Sequence, residues 1–374
     1  MHSDMMPKPV SVADLMTRRL RHDVTGMHAY AVQDSRGLCK LDAMENPHRL
    51  SAALQQELGQ RLGALALNRY PGECIHALRR ELIRHARVPA GFDLMLGNGS
   101  DELISLLAMA CDVPGASILA PQPGFVMYQM SAQLQGLKFV GVPLRADFEL
   151  DEAAMLHAIA EHQPSILYLA YPNNPTANLW DDAVIDRLIA AAPGLVEIDD
   201  AYQPFAGRSF TDRLAAHENV LLMRTMSKFG LAGVRIGYLI GRSALIAEID
   251  KVRPPYNISV LNAECALFAL EHADVFAAQA QDIVAQRQWL MAQLSQLPGL
   301  RCFNSDANML LVRLPDAGAT GDGAAKAAFA GMRARGVLVK DVSGMHPLLR
   351  NCLRLTVGTA DENRAMLQAL KECL

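Results

Sequence analysis

The sequence predicts an α/β protein: a large domain built on a mostly parallel seven-stranded sheet flanked by helices, and a smaller α/β domain. Three observations carry that expectation. From about residue 90 to 245, short apolar runs alternate with longer helical patterns, which implies right-handed crossovers and helices on both faces of a sheet. The first of those runs ends in Gly97-Asn98-Gly99 and passes straight into a helical pattern. Beyond about residue 255 the pattern changes to one long apolar-periodic stretch followed by further strands.

The elements follow in order. A strand is expected at 92–96, after which Leu103, Leu106, Leu107 and Ala110 recur at helical spacing. Further strands are expected at 117–120, 139–142, 165–171, 195–199, 220–225 and 237–241, with helix-length segments such as 181–192 between them. Pro254-Pro255 marks the boundary. Residues 262–297 contain neither Gly nor Pro and read as one or two long helices. After Pro298-Gly299, strands are expected at 309–314, 336–340 and 353–357. The first forty-odd residues lack strong periodicity, which fits an arm packed on a neighbour.

Composition narrows the class. Hydrophobic residues make up 51% and charged residues 20% of 374, so a sizeable core is available and global disorder is excluded. Lys+Arg 35 against Asp+Glu 39 gives a net charge of −4, which offers no electrostatic footprint for nucleic acid. The one basic cluster, Arg18-Arg19-Leu20-Arg21, reads as a solvated helix face. The N-terminus MHSDMMPKPV has no apolar signal-peptide core. Apolar stretches such as 103–111 are far too short to span a bilayer. The seven cysteines are scattered without a C-x-x-C pair, so reduced thiols in a cytoplasmic protein are expected, with no metal site.

Ligands of open α/β sheets bind outside the carboxyl ends of the strands. Three apolar runs end unusually: Tyr171-Pro-Asn-Asn-Pro-Thr176, Asp199-Asp200-Ala-Tyr202 and Thr225-Met-Ser-Lys228. Asn174, Asp199 and Lys228 are separated by 25 and 29 residues, each about one βαβ unit, so all three can lie on one rim. Taken singly, an Asp closing a strand is a turn cap, and Asn-Asn-Pro is ordinary turn chemistry. Lys340 also ends an apolar strand and rivals Lys228. Context separates them, because Lys228 sits among Thr225, Ser227, Gly230, Gly233 and Arg235, a hydroxyl, glycine and cation set suited to a phosphate. Upstream, Gly97-Asn98-Gly99-Ser100 opens a helix whose free N–H groups and dipole favour an anion. The segment is neither G-x-G-x-x-G nor a P-loop, so dinucleotide and ATP readings lose support. A Schiff-base lysine, a carboxylate for a pyridinium nitrogen and a phosphate cradle are together what pyridoxal phosphate requires.

The ordered motifs LDAMENP (41–47), NRYPG (68–72), GNGSDE (97–102), YPNNPT (171–176), DDAY (199–202), SKFGLAGVRIG (227–237) and LRLTVGT (353–359) carry a resemblance. With them, the chain resembles the fold-type-I pyridoxal-phosphate aminotransferases over most of its length. That resemblance implies a large cofactor domain at 47–255 and a small domain, with an N-terminal arm, from 1–46 and 256–374. It implies that Lys228 carries the cofactor as a Schiff base and shuttles the substrate's proton. Asp199 would pair with the ring nitrogen, Asn174 and Tyr202 would bond the ring oxygen, and Phe125 would stack on the ring. Ser227, Arg235 and the backbone amides of Ser100 and Asp101 would hold the phosphate. Tyr70 would reach the phosphate in a partner subunit's site, which implies a homodimer with shared active sites. Arg354 would bind the substrate's anionic end, with Tyr30 and Asn174 near the substrate. On their own residues, Phe125 reads as core packing, Arg354 as the polar face of a strand, and Tyr70-Pro71 as a turn.

Two positions depart from the common pattern: Phe125 stands where tyrosine is usual, and Met44 where asparagine is frequent. The segment from Lys228 to Leu231-Ala232-Gly233 is also one residue shorter than in many such proteins, which leaves the register of Arg235 open. The implied substrates are an amino acid or phosphate monoester amine and a 2-oxo acid. A phosphoamino-acid decarboxylase and an aromatic aminotransferase would share every cofactor residue, so the motifs do not separate these activities. A ligand sensor fused to a DNA-binding module would need a helix-turn-helix ahead of Leu41, and the forty residues there carry no basic recognition helix.

Overall fold

In a computed structural model, which describes residues 10–27, 33–315 and 323–374, the seven apolar runs between 92 and 242 pair into one sheet. In chain order the strands are β1 (Cys39–Lys40), β2 (Phe92–Gly97), β3 (Ser117–Gln122), β4 (Lys138–Pro143), β5 (Ile166–Ala170), β6 (Leu195–Asp199) and β7 (Val220–Thr225). They continue with β8 (Gly237–Arg242), β9 (Arg301–Cys302), β10 (Met309–Arg313), β11 (Val337–Leu338), β12 (Lys340–Asp341) and β13 (Cys352–Thr356). The large sheet has the order β2-β8-β7-β6-β5-β3-β4. Only β8 runs antiparallel, to both β2 and β7, so the carboxyl ends of β2, β3, β5, β6 and β7 share one rim.

This sheet is covered on both faces, and its strands show it. Every residue of β5 and of β7 is buried, as expected when helices close both sides of a parallel sheet. Along β6 the side chains alternate between two apolar layers. Val196 and Ile198 join one layer, while the opposite layer gathers Tyr128, Tyr168, Leu221 and Met223. Side-chain caps fix several of the helix starts. Asp181 accepts from the backbone N–H groups of Ala183 and Val184, and Thr359 with Glu362 forms a capping box.

Smaller sheets complete the unit that spans residues 35–374: an antiparallel β12-β13-β10-β9 and a parallel pair β1-β11. The strand expected at 336–340 is divided between them, because Val337–Leu338 lies along β1 and Lys340–Asp341 along β13. The stretch 262–297 forms two helices, Val260–Glu271 and Ala273–Leu294, which meet at His272, where the backbone leaves the helical region. Residues up to Asp34 form a separate unit. Its described residues include the helices Val12–Arg19 and His22–Thr25, neither of which has a buried residue. Ser11 caps the first helix, and Val12, Leu15 and Met16 recur along it at helical spacing while staying exposed, a short apolar period in a segment expected to lack a strong one.

Behind the rim, Asp200 accepts from Arg224 Nε at 3.0 Å and Nη2 at 2.8 Å, and Arg224 Nη2 also donates to Ser209 and Thr211. The Asp200 side chain is fully buried and that of Arg224 only 10% exposed. Burial lifts the Asp200 carboxyl to about 6, against the pull of Arg224. Removing one partner of such a pair strands the other charge. Arg224→Ala is therefore expected to destabilise the fold by about 3–5 kcal/mol in urea unfolding, while Asp200→Leu combined with Arg224→Met loses much less. A single variant as stable as the wild type would show that this pair does not hold the rim.

Candidate active site

Five connections that leave the common rim, after β2, β3, β5, β6 and β7, carry most of the residues singled out in the sequence. Asp199 is the last residue of β6 and only 6% exposed. Its carboxylate accepts from the Tyr128 hydroxyl at 2.7 Å and from the Ala201 amide at 3.1 Å. Burial pushes it up to about 6, and the Tyr128 and Ala201 hydrogen bonds and the charge of Lys228 oppose that rise.

After β5, the Tyr171–Thr176 loop places Asn174 against two partners. Its Nδ2 donates to the Tyr202 hydroxyl at 3.0 Å, and its Oδ1 accepts from Arg354 Nη1 at 2.7 Å. Arg354 stands on β13, is 8% exposed, and also donates to the carbonyl of Asp42 at 2.7 Å. Burial raises the Tyr202 phenol above its ordinary range.

Lys228 follows β7. Its Nζ donates to the carbonyl of Ala43 at 3.1 Å and lies 5.6 Å from the centre of the Tyr202 ring. Desolvation, then the neighbouring guanidinium of Arg354, lowers its amine from 10.5 to about 8. A neutral, nucleophilic amine is thereby accessible near neutral pH. The rival lysine, Lys340, sits on β12 opposite Arg354 in the ladder.

An anion cradle lies beside this cluster. Gly99, at φ 85°, precedes the helix Ser100–Ala110, and no side chain caps that helix. A Cβ on Gly99 would strike the Arg235 guanidinium, and a Cβ on Gly237 would come within 2.7 Å of the Gly99–Ser100 backbone. Glycine is required at 237 for the backbones to approach, and at 99 the positive φ favours it. Arg235 donates from Nη1 to Ser227 Oγ at 3.3 Å and from Nη2 to Asp101 at 3.2 Å. The register left open by the short Lys228–Arg235 segment thus brings Arg235 to Ser227. The chain achieves this through a tight turn kinked at Gly230 and a left-handed backbone at Arg235 itself.

Phe125 starts the helix Val126–Gln135, with its ring edge-on to Tyr128 at 5.7 Å. Tyr70 is 79% exposed and stacks on Tyr256 at 4.5 Å. Tyr30 lies outside the described residues. Tyr128 was not expected as a site residue. Its signal, a tyrosine three residues after Phe125 on the same helix face, is indistinguishable from core spacing. Among the described residues, no group of His, Cys, Asp and Glu could hold a metal ion, and no helix is long and apolar enough to cross a membrane.

The arrangement unites an amine of depressed pKa, a buried carboxylate, an amide–phenol–guanidinium chain and an uncapped helix N-terminus. Residues 39–370 match the family model described as aminotransferase class I and II. The chain is 68% identical over 373 residues to the histidinol-phosphate aminotransferase of Polaromonas naphthalenivorans, covering 99% of this chain and 100% of that one. It is 67% identical to that of Methylibium petroleiphilum, with 97% and 96% covered. Its fold matches the crystal structure of histidinol-phosphate aminotransferase from Sinorhizobium meliloti in complex with pyridoxal 5′-phosphate. That likeness has a TM-score of 0.82 at 24% identity, with 95% of this chain and 97% of that one covered. The chain belongs to the class I and II aminotransferases, and among them to the histidinol-phosphate aminotransferase family.

Proposed function

We propose that this chain is a pyridoxal-phosphate-dependent transaminase acting between glutamate and 2-oxoglutarate on one side and histidinol phosphate and imidazole-acetol phosphate on the other. That step belongs to histidine biosynthesis in the cytoplasm. The observation that carries the reading is the convergence of Lys228, Asp199 and Asn174 with Arg354 beside an uncapped helix N-terminus. The high identity to two proteins of that name supports the choice of substrate.

The residues present fit the cofactor. The cradle that a Cβ at Gly99 or Gly237 would fill, with Arg235 and Ser227 at its edge, suits a phosphate monoester. Ser100 and Asp101 would contribute backbone N–H groups to it. Asp199 would hold a protonated ring nitrogen, since a buried carboxylate favours an opposite charge. Asn174 and Tyr202 would bond the ring oxygen, and Phe125 would cover the ring face. Bound there, pyridoxal phosphate supplies an aldehyde that captures amines and a protonated ring that accepts the electron pair released at the substrate's Cα.

The chain's own groups perform the rest. Lys228 Nζ, neutral above about 8, would hold the cofactor. Once free, it would take the proton from the substrate's Cα and deliver it to the cofactor carbon on the far side of the transferred nitrogen. Arg354 orients the anionic end of each substrate, a carboxylate in one half-reaction and a phosphate in the other, which a planar guanidinium can grip with two N–H groups. Asn174 keeps that guanidinium in place. Tyr70, exposed on the surface, would complete the phosphate site of a partner subunit, so the working form would be a homodimer.

Lys228→Ala is expected to abolish the visible absorbance and borohydride-stable attachment of bound cofactor. A variant that kept both would shift the assignment to Lys340. In the wild type, the rate of cofactor capture should rise with pH to a midpoint near 8, because only the neutral amine reacts. A rate that is flat between about pH 6 and about pH 9 would contradict this role. Arg354→Lys should lower kcat/KM for both substrates by about 30-fold or more, the equivalent of losing about 2 kcal/mol or more of buried charge pairing. A loss confined to one substrate would show that Arg354 serves only one half-reaction.

A further inference from the structure

Glu197 is fully buried in the middle of β6, two residues before Asp199 and therefore on the same face of the strand. Neither of its carboxylate oxygens has a hydrogen-bond partner among the described residues. Its neighbours across the sheet are Tyr168 on β5 and Leu221 on β7. Tyr128 lies flat on Tyr168, with ring centres 4.3 Å apart, and turns its hydroxyl to Asp199 at 2.7 Å. Two carboxyls thus share one dry layer, and only one of them is provided with donors.

Two carboxyls so close in a low-dielectric interior do not both ionise, and the one that accepts hydrogen bonds keeps the charge. The groups that act on this layer are Tyr128, Tyr168 and Asp200, together with Asp101 from the helix Ser100–Ala110, Cys111 at the end of that helix, and Lys228. The one cation among them, Lys228, opposes the rise at Asp199, while Asp199 and Asp200 add to the rise at Glu197. We propose that Tyr128 is a positioning residue that fixes the charge on Asp199, and that Glu197 holds the proton of the pair as a neutral buried acid.

Burial and the nearby carboxylates hold Glu197 far above its ordinary range, in line with this division. A carboxyl raised in the folded state binds more protons there than in the unfolded chain, so the wild type loses stability as pH climbs above the unfolded value. Glutamine at 197 has no proton to lose and escapes that cost.

This inference rests on the proposed cofactor reading, and its test keeps the two apart. The probe is pyridoxamine 5′-phosphate, which lacks the aldehyde and cannot bond to Lys228. Its affinity for the full-length wild type, Tyr128→Phe and Glu197→Gln is measured across pH. Wild-type binding should weaken as pH falls through about 6. In Tyr128→Phe that midpoint should move up by about one pH unit, as expected when a carboxylate loses a hydrogen bond. In Glu197→Gln the midpoint should stay in place, while the melting temperature exceeds the wild type's by a margin that widens with pH. An equal loss of affinity at every pH in Tyr128→Phe, or a displaced midpoint in Glu197→Gln, would overturn the assignment. So would a stability margin in Glu197→Gln that is independent of pH. If the probe fails to bind the wild type at any pH, the cofactor reading falls, and this inference with it. Binding with unshifted variants sinks the inference alone.

Discussion

The charge on Asp199 is the constraint around which the site is arranged. A carboxylate at the end of a central strand, 6% exposed, is costly unless donors and a counter-charge surround it. The structure supplies a phenol, a backbone amide and a lysine. On the proposed reading it also leaves room for a cationic ring, so the cofactor completes an electrostatic arrangement that the fold leaves unfinished. The depressed amine of Lys228 belongs to the same economy of charge, since Arg354 and burial disfavour a second buried cation.

Topology explains why these groups meet. With β8 as the only antiparallel strand of the large sheet, the carboxyl ends of β2, β5, β6 and β7 open onto one rim. Gly97 and Thr225 both pair with Gly237, so the start of the Ser100–Ala110 helix and the Lys228 turn are brought together by one residue of β8. Arg354 arrives from a different sheet and is tied to the rim through Asn174 and the Asp42 carbonyl. Asp199 and Arg354 thereby stand on strands, while Asn174 and Lys228 stand on the turns that follow β5 and β7.

Much of this was legible in the sequence because it was local. Six of the seven expected strands of the large sheet fall within one residue of the observed bounds at either end, and β3 extends two residues further, to Gln122. Both reflect apolar runs long enough to read in isolation. Asn174, Asp199 and Lys228 were found because each closes such a run. What stayed hidden was set by tertiary structure. The division of 336–340 between two sheets depends on β1, a two-residue strand contributed from far upstream. Tyr128 looks like any helical core aromatic until its hydroxyl is seen on Asp199. Glu197 interrupts an apolar run in a way that composition alone reads as a strand's polar face.

The central claim, that this cluster moves an amino group to and from histidinol phosphate, is tested most directly by single half-reactions. Cofactor-loaded enzyme is mixed separately with histidinol phosphate, glutamate, phenylalanine and threonine phosphate, and conversion of the bound cofactor to its pyridoxamine form is followed by absorbance. The account predicts complete conversion by histidinol phosphate and by glutamate. Rapid conversion by phenylalanine with none by histidinol phosphate, or carbon dioxide released from threonine phosphate, would contradict it.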